Sequence, residues 1–526
     1  MNLLSELTGL EEEELESLRK AILAAGLSLE QPLSKIGGRE LEAIIRNLVE
    51  VEGSRERRVR IVKALREALE EAGNPAAWKL SPRVPAPEIS MEERKGSFRE
   101  VVKGYGLEDA EREASRCLTC RNPRCVEACP IRFSVPAFLK MASEGKVEAA
   151  YRLALTYYPF LGVCGRICVR FCEQACIMNE IGGEPPAVAL LHRAVADRID
   201  KRRVRLSRKP EKGLRVAVIG SGPAGLNAAY HLALKGYSVT VYEALGRVGG
   251  MLSNVIPSFR LPLEVFKEEL ELVRRLGVRF ETGKRVGEEV SLEELIRNYD
   301  AVFIAVGAHR LRRLNVPGEE LEGVLLGLNF LFDVKNRRVE KLEGRVVVVG
   351  GGDVAMDSAR TAIRLGAEKV TIIYRRSRAE MPAHRDEVEA ALKEGAEIIF
   401  LATPVEIIGE NGKVKAVKCI RTRLGEPGPD GRRRPIPIPG SEFMIEADYV
   451  IEAVGESPDT GWITPETGIQ LTRWGTIRVD EETLMTSREG VFAGGDAIRG
   501  PATFIQAAAD GKKAAESIDR YLGGKG

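Results

Sequence analysis

Cysteine is missing from most of this chain. Of nine cysteines in 526 residues, eight lie between Cys117 and Cys176, and only Cys419 stands apart. The long gap from Cys176 to Cys419 holds no CxxC, which excludes dithiol–disulfide exchange chemistry from that stretch. Net charge is also nearly absent: 79 basic against 77 acidic residues leaves +2, so no global field suggests nucleic acid or an anionic membrane. No apolar run approaches the ~18 residues that a membrane span needs. Met1 to Glu16 is rich in Glu and has no basic stretch leading into an apolar one, so it does not read as a secretory leader. A cytoplasmic protein is expected. What is present, 44% hydrophobic and 30% charged residues, suits a globular chain too long for one core.

Residues 2–72 read as helical. Leu3, Leu4, Leu7, Leu10, Leu15 and Leu18 recur near helical spacing, and 54–72 is charge-laced and punctuated by Ala and Leu. Either a small capping bundle or a partner-docking module fits that pattern. Gly73-Asn74-Pro75 closes it, and Ser81 to Pro87, with three prolines, reads as an extended linker. Lys201 to Lys212 is a basic connector, either simply solvated or attractive to an acidic electron carrier.

From Leu214 onward strands and helices alternate, and two Gly-rich turns mark two nucleotide units. Gly220-Ser221-Gly222-Pro223-Ala224-Gly225 follows a strand and opens a helix, with Glu243 ending the next strand and Gly249-Gly250-Met251 after it. Glycines there let backbone N–H groups approach a pyrophosphate, and the carboxylate accepts from ribose hydroxyls. Far downstream stand Gly494-Gly495-Asp496 and Pro501-Ala502-Thr503. The combination resembles FAD domains of the glutathione-reductase type. That resemblance implies that Asp496 holds the ribityl chain and that the helix after Thr503 aims its positive end at the flavin.

The second turn is Gly350-Gly351-Gly352-Asp353-Val354-Ala355. Its next strand ends not in an acid but in Tyr374-Arg375-Arg376-Ser377-Arg378. Arginines suit a 2′-phosphate, which favours NADP(H) over NAD(H). Around Pro435 to Gly440 a Pro-rich loop is expected, and Tyr449–Val454 resumes a strand.

The cysteines form two runs, Cys117-x2-Cys120-x4-Cys125-x3-Cys129-Pro130 and Cys164-x3-Cys168-x3-Cys172-x3-Cys176. Thiolates so spaced can surround an iron–sulfur cubane, and Cys-Pro echoes bacterial ferredoxins. Zinc also takes four thiolates, but its sites usually come as paired CxxC knuckles. Cys419, inside a strand-like stretch, reads as a core thiol.

From about Pro82 onward the chain resembles the glutamate synthase small subunit and its relatives. These include the large subunit of NADH-dependent ferredoxin:NADP oxidoreductase, sulfide dehydrogenase and the N-terminal part of dihydropyrimidine dehydrogenase. The resemblance rests on Arg116-Cys117-Leu118-Thr119-Cys120, Cys129-Pro130 with Val135-Pro136, Gly165-Arg166, Glu173, Glu380-Met381-Pro382 and the two nucleotide motifs. It implies interleaved ligands. One cluster takes Cys117, Cys120, Cys125 and Cys176, and the flavin-proximal one takes Cys129, Cys168 and Cys172. His192 and Cys164 compete for the remaining position.

An α/β fold is therefore expected, with two Rossmann-like domains behind an all-α cluster domain and a helical extension. The extension spans 1–80 and the two-cluster domain 81–205. The FAD domain covers 206–315 and 446–526, and the NADP domain lies inserted at 316–445. The implied function is electron flow from NADPH through FAD and two [4Fe–4S] clusters to a partner, with no catalytic acid–base residue. That partner would be a glutamate synthase large subunit, a ferredoxin or a smaller flavoprotein, in a hetero-oligomer. Two other readings stay open: the NADP-binding subunit of an electron-bifurcating ferredoxin:NADP transhydrogenase, and an electron-transfer subunit without turnover of its own.

Overall fold

A computed structural model describes residues 7, 9–428 and 431–523. Leu3 and Leu4 of the leucine series lie outside the described residues. The chain divides into two compact units: Met1–Glu88 with Lys103–Val204, and Ile89–Val102 with Arg205–Gly526.

The first unit is built from helices. Glu12–Ala24, Gly38–Val51 and Arg55–Glu71 lead it. In the second of these Leu41, Ile44, Ile45 and Leu48 share one fully buried face, and Ile61, Leu65 and Leu69 do the same in the third. Ser54 caps that third helix by accepting from the Arg57 N–H at 3.3 Å. Asn74 accepts from the Ala76 N–H at 2.8 Å and donates to the Ile36 carbonyl at 2.9 Å, which fixes the short 3₁₀ turn Pro75–Leu80. The core begun here does not stop at residue 80. Leu118, Ile177, Met178 and Ile181 of the cysteine-bearing region belong to the same buried cluster, with Cys120 and Cys176 packed against it.

The second unit holds two parallel sheets. In the first, the strand order is Val491–Ala493, Ala301–Ile304, Arg215–Ile219, Ser238–Glu243, Arg279–Thr282. In the other it is Val324–Leu326, Tyr449–Glu452, Gly344–Val349, Ala367–Tyr374, Glu397–Phe400. Continuous valine and isoleucine runs suit strands buried on both faces. The C-terminal helix Phe504–Gly523 packs on Pro223–Leu234 so tightly that a Cβ on Gly511 would lie 2.2 Å from the Ala224 carbonyl oxygen.

Three sequence expectations are corrected here. Tyr449–Glu452, expected in the closing half of the first domain, pairs with Gly344–Val349 and Val324–Leu326 in the other sheet. Ile89–Val102, expected with the cysteines, belongs to the second unit, where the Val101 N–H donates to the Phe259 carbonyl at 3.1 Å. The Pro-rich loop begins as a strand, because Arg433–Pro437 pairs antiparallel with Lys413–Pro427 at the sheet's edge. A proline there costs no ladder bond on its outward side. Cys419 lies fully buried in this antiparallel sheet, and burial pushes its thiol up to about 12. Among the described residues, no helix is long and apolar enough to cross a membrane.

Candidate functional site

The two Gly-rich turns repeat one design. At Gly220 the backbone takes φ +99°, and a Cβ would meet the Ala305 carbonyl oxygen at 2.4 Å. Gly225, one turn into the helix, would put a Cβ 2.0 Å from the Gly220 oxygen. Between them a Cβ on Gly222 would meet nothing within 4 Å. The outer glycines are thus demanded by protein packing, whereas the middle one faces open space at a helix N-terminus. Gly250 (φ +53°) comes within 3.1 Å of the Gly222 Cα, and Gly495 (φ +68°) within 3.0 Å of the Ala224 Cβ, each measured from the Cβ position. Motifs separated by hundreds of residues therefore meet at this one helix start.

Glu243 closes the turn from the side. Its carboxylate accepts from the Ser221 N–H at 3.1 Å, from the Leu245 N–H at 2.8 Å and from the Ser221 hydroxyl. Ser221 Oγ in turn accepts from the Gly249 N–H at 2.9 Å. Burial raises Asp496 to about 6, and Asp510 adds to that rise. Thr503 donates through its hydroxyl to Gln506 at 2.8 Å at the start of the C-terminal helix.

In the second turn Gly350 (φ +149°) would place a Cβ 2.2 Å from the Ala453 oxygen, while Gly352 again faces nothing within 4 Å. Ala355 fills the third-glycine position and is fully buried. Asp353 begins the helix Asp353–Arg364 and accepts from the His384 N–H at 2.9 Å. The arginines beyond the strand separate into two kinds. Arg375 and Arg378 are exposed, whereas Arg376 is buried and donates through Nε to the Arg433 carbonyl at 2.6 Å.

In the first unit Cys117, Cys120, Cys125, Cys172 and Cys176 line one cavity together with Glu173. Burial pushes Cys120 and Cys125 up to about 12, and the neighbouring Cys117 and Cys176 thiols add to the rise. Thiols around a single apolar hollow suit a cubane's donor set. The thiol of Cys172 is likewise raised by burial, to which Glu173, Cys168, Cys129 and Cys125 add. Cys164, wholly buried, hydrogen-bonds Cys168 and lowers that thiol. His192 lies between the rings of Phe133 and Phe138, with centroids at 4.7 and 4.8 Å. Neither of its ring nitrogens has a hydrogen-bond partner, and burial drops its pKa to about 3. A neutral imidazole with orphaned nitrogens fits a missing metal ligand.

The sequence carried no signal for several contacts around the cysteines. Thr119 (φ +53°) and Arg170 (φ +63°) adopt left-handed backbone, which turns their N–H groups back onto Cys117 and Cys168 sulfur at 3.4 Å each. Arg83 donates to Glu173 at 2.6 Å, and Glu173 accepts from the Ala189 N–H at 3.0 Å. Lys79 donates to the carbonyls of Ser115 and Cys117.

Fold and turns together define a two-dinucleotide flavoprotein oxidoreductase joined to an iron–sulfur domain. The chain belongs to the pyridine nucleotide-disulphide oxidoreductase family, whose profile matches residues 214–511. Residues 94–204 match dihydropyrimidine dehydrogenase domain II, 4Fe-4S cluster. FAD, NADP(H) and [4Fe–4S] chemistry follow from these domains. The NADP(+)-dependent formate dehydrogenase subunit beta of Moorella thermoacetica is 43% identical over 76% of this chain and 60% of its own length. The glutamate synthase [NADPH] small chain of Azospirillum brasilense is 38% identical over 82% of this chain and 93% of its own. A variant of FprA from Mycobacterium tuberculosis shares the fold at a TM-score of 0.50 and 22% identity, over 60% of this chain and 85% of that one. The chain thus spans less than two thirds of the formate dehydrogenase subunit.

Proposed function

We propose that this chain oxidises NADPH and delivers single electrons to a partner protein by way of FAD and two [4Fe–4S] clusters. The observation that carries the reading is the pair of open middle glycines, Gly222 and Gly352, each at a helix N-terminus with its outer positions packed shut. Two such slots accept two dinucleotides. When bound, nicotinamide supplies a hydride, flavin converts it to single electrons, and the clusters carry those electrons.

The chain's own task is to hold and orient. Gly220, Gly222, Pro223, Ala224 and Gly225 would cradle the FAD pyrophosphate, with Glu243 on the ribose. Gly250, Gly495, Asp496 and Thr503 would bound the flavin side. Gly350, Gly352, Asp353 and Ala355 would receive NADP(H), whose 2′-phosphate would meet Arg375 and Arg378, while Arg376 is held on the Arg433 carbonyl. Cys117, Cys120, Cys125 and Cys176 would hold one cluster. Cys129, Cys168, Cys172 and His192 would hold the other, because the His192 nitrogens are unpartnered while Cys164 is engaged with Cys168. Relatives named as a small chain or a beta subunit support a hetero-oligomer.

Anaerobically purified chain loaded with FAD and iron should reduce benzyl viologen with NADPH and far more slowly with NADH. Full cofactor content with no viologen reduction would defeat the reading in favour of a passive electron-transfer subunit.

A further inference from the structure

The residues ahead of the cluster domain do more than precede it. Their core runs directly into the ligand loops of one cysteine group, where Leu118, Ile177 and Met178 join Leu41, Ile44, Ile61 and Leu65. Polar ties reinforce the join. Arg58 donates through Nε to the Glu180 carbonyl at 3.1 Å, and Trp78 donates to the Arg112 carbonyl at 2.9 Å. A Cβ on Gly182 would lie 2.5 Å from the Val59 side chain, so the loop after Cys176 is pressed against the helix Arg55–Glu71.

One cation is delivered by this packing. The turn Pro75–Leu80, held by Asn74, carries Lys79 to the start of the first ligand loop. Its ammonium donates to the Ser115 carbonyl at 2.8 Å and to the Cys117 carbonyl at 2.6 Å. The stem is held as well, since a Cβ on Gly38 would lie 2.7 Å from Lys79 Cε. The ammonium therefore has a fixed place beside a cluster ligand.

We propose that the N-terminal helices are a redox-setting cap for the cluster held by Cys117, Cys120, Cys125 and Cys176, with the Lys79 ammonium as its working charge. The proposal rests on the ligand assignment made above. Adding an electron to a thiolate-ligated cluster increases its negative charge. A cation fixed nearby in a partly desolvated site favours that reduced form and raises the potential. Lys79 is thus a positioning and tuning residue, not a catalytic one.

Redox titration of the anaerobic holoprotein, followed by electron paramagnetic resonance, tests this. Two cluster transitions are expected in the wild type. In Lys79→Gln one of them should move to lower potential, its reduction constant falling about tenfold, or 59 mV for one electron. The other transition should stay in place, and Lys79→Arg should keep both near wild type. Iron and sulfide content is measured alongside, so that a variant lacking clusters is recognised. Clusters present with neither transition moved in Lys79→Gln, or both moved equally, would overturn the proposal. An equal fall in Lys79→Arg would also overturn it, by showing that packing and not charge matters. Wild-type protein without two cluster transitions would remove the ligand assignment itself.

Discussion

Arg116 and Glu113 form an ion pair with no solvent exposure on either side chain, at 2.8 Å, one residue ahead of Cys117. Glu113 also accepts from the Val84 N–H at 2.9 Å and the Ala187 N–H at 2.8 Å, and Arg116 donates through Nε to the Ser81 carbonyl at 2.9 Å. Three stretches of chain meet at this pair. Glu113→Ala would strand a buried guanidinium and should destabilise the first unit by about 3–5 kcal/mol. Calorimetry should show its unfolding transition at lower temperature, with cluster iron lost in parallel.

Glycines in one turn should respond oppositely to the same methyl. Gly225→Ala meets a carbonyl oxygen at 2.0 Å and must shift backbone, whereas Gly222→Ala meets nothing. The Gly222 variant should keep wild-type stability to within about 0.5 kcal/mol yet purify with little flavin. Absorbance near the flavin band per chain, set beside the melting temperature, separates the two.

Arg375 and Arg376 should also part company. Arg375→Ser should raise the KM for NADPH about 10- to 100-fold, the worth of one or more charged hydrogen bonds, and leave that for NADH nearly unchanged. Arg376→Gln should instead lower stability, because its guanidinium is buried on the Arg433 carbonyl. Paired KM measurements with both nucleotides decide this.

Asp519 on the C-terminal helix accepts from Lys212 and Lys235 at 2.7 Å and from Tyr237 at 2.8 Å. Burial alone would raise its pKa, but these three donors hold it well below the usual carboxylate range. The unfolded carboxyl, near 3.9, then binds its proton first as pH falls. The stabilisation is complete above that value and drains away as acid carries the pH toward the folded pKa. Asp519→Asn should cost about 1.5–3 kcal/mol at pH 7. Urea midpoints should show a constant gap between the two proteins from pH 7 to about 4 and a narrowing gap below.

What could be read from residues alone was whatever has fixed local spacing. Gly220 to Gly225 with Glu243, Gly350 to Ala355, and both cysteine runs announce themselves because the chemistry dictates their intervals. Residues whose role depends on burial or on distant strands did not. Tyr449–Glu452 looks like any short apolar strand, and only pairing with Gly344–Val349 assigns it to a sheet. Arg376 is chemically identical to Arg375, and burial alone tells them apart. The bonds of Glu113 to Val84 and Ala187, and those of Lys79, reach partners brought close by packing, so their neighbours in sequence give no hint. The left-handed turns at Thr119 and Arg170 follow from sulfur–amide hydrogen bonding at residue types that rarely adopt such backbone.

The first parallel sheet is sewn from two distant lengths of chain: Val491–Ala493 lies beside Ala301–Ile304, and Phe504–Gly523 closes over Pro223–Leu234. The other sheet is drawn from one uninterrupted stretch, Val324 to Glu452. During synthesis, then, the later sheet can close while the earlier one still waits for its edge strand and covering helix. Loop closure over so long a span is slow. On the proposed assignment, flavin capture is then a late event on the ribosome's timetable, after the half proposed for the nicotinamide has taken shape.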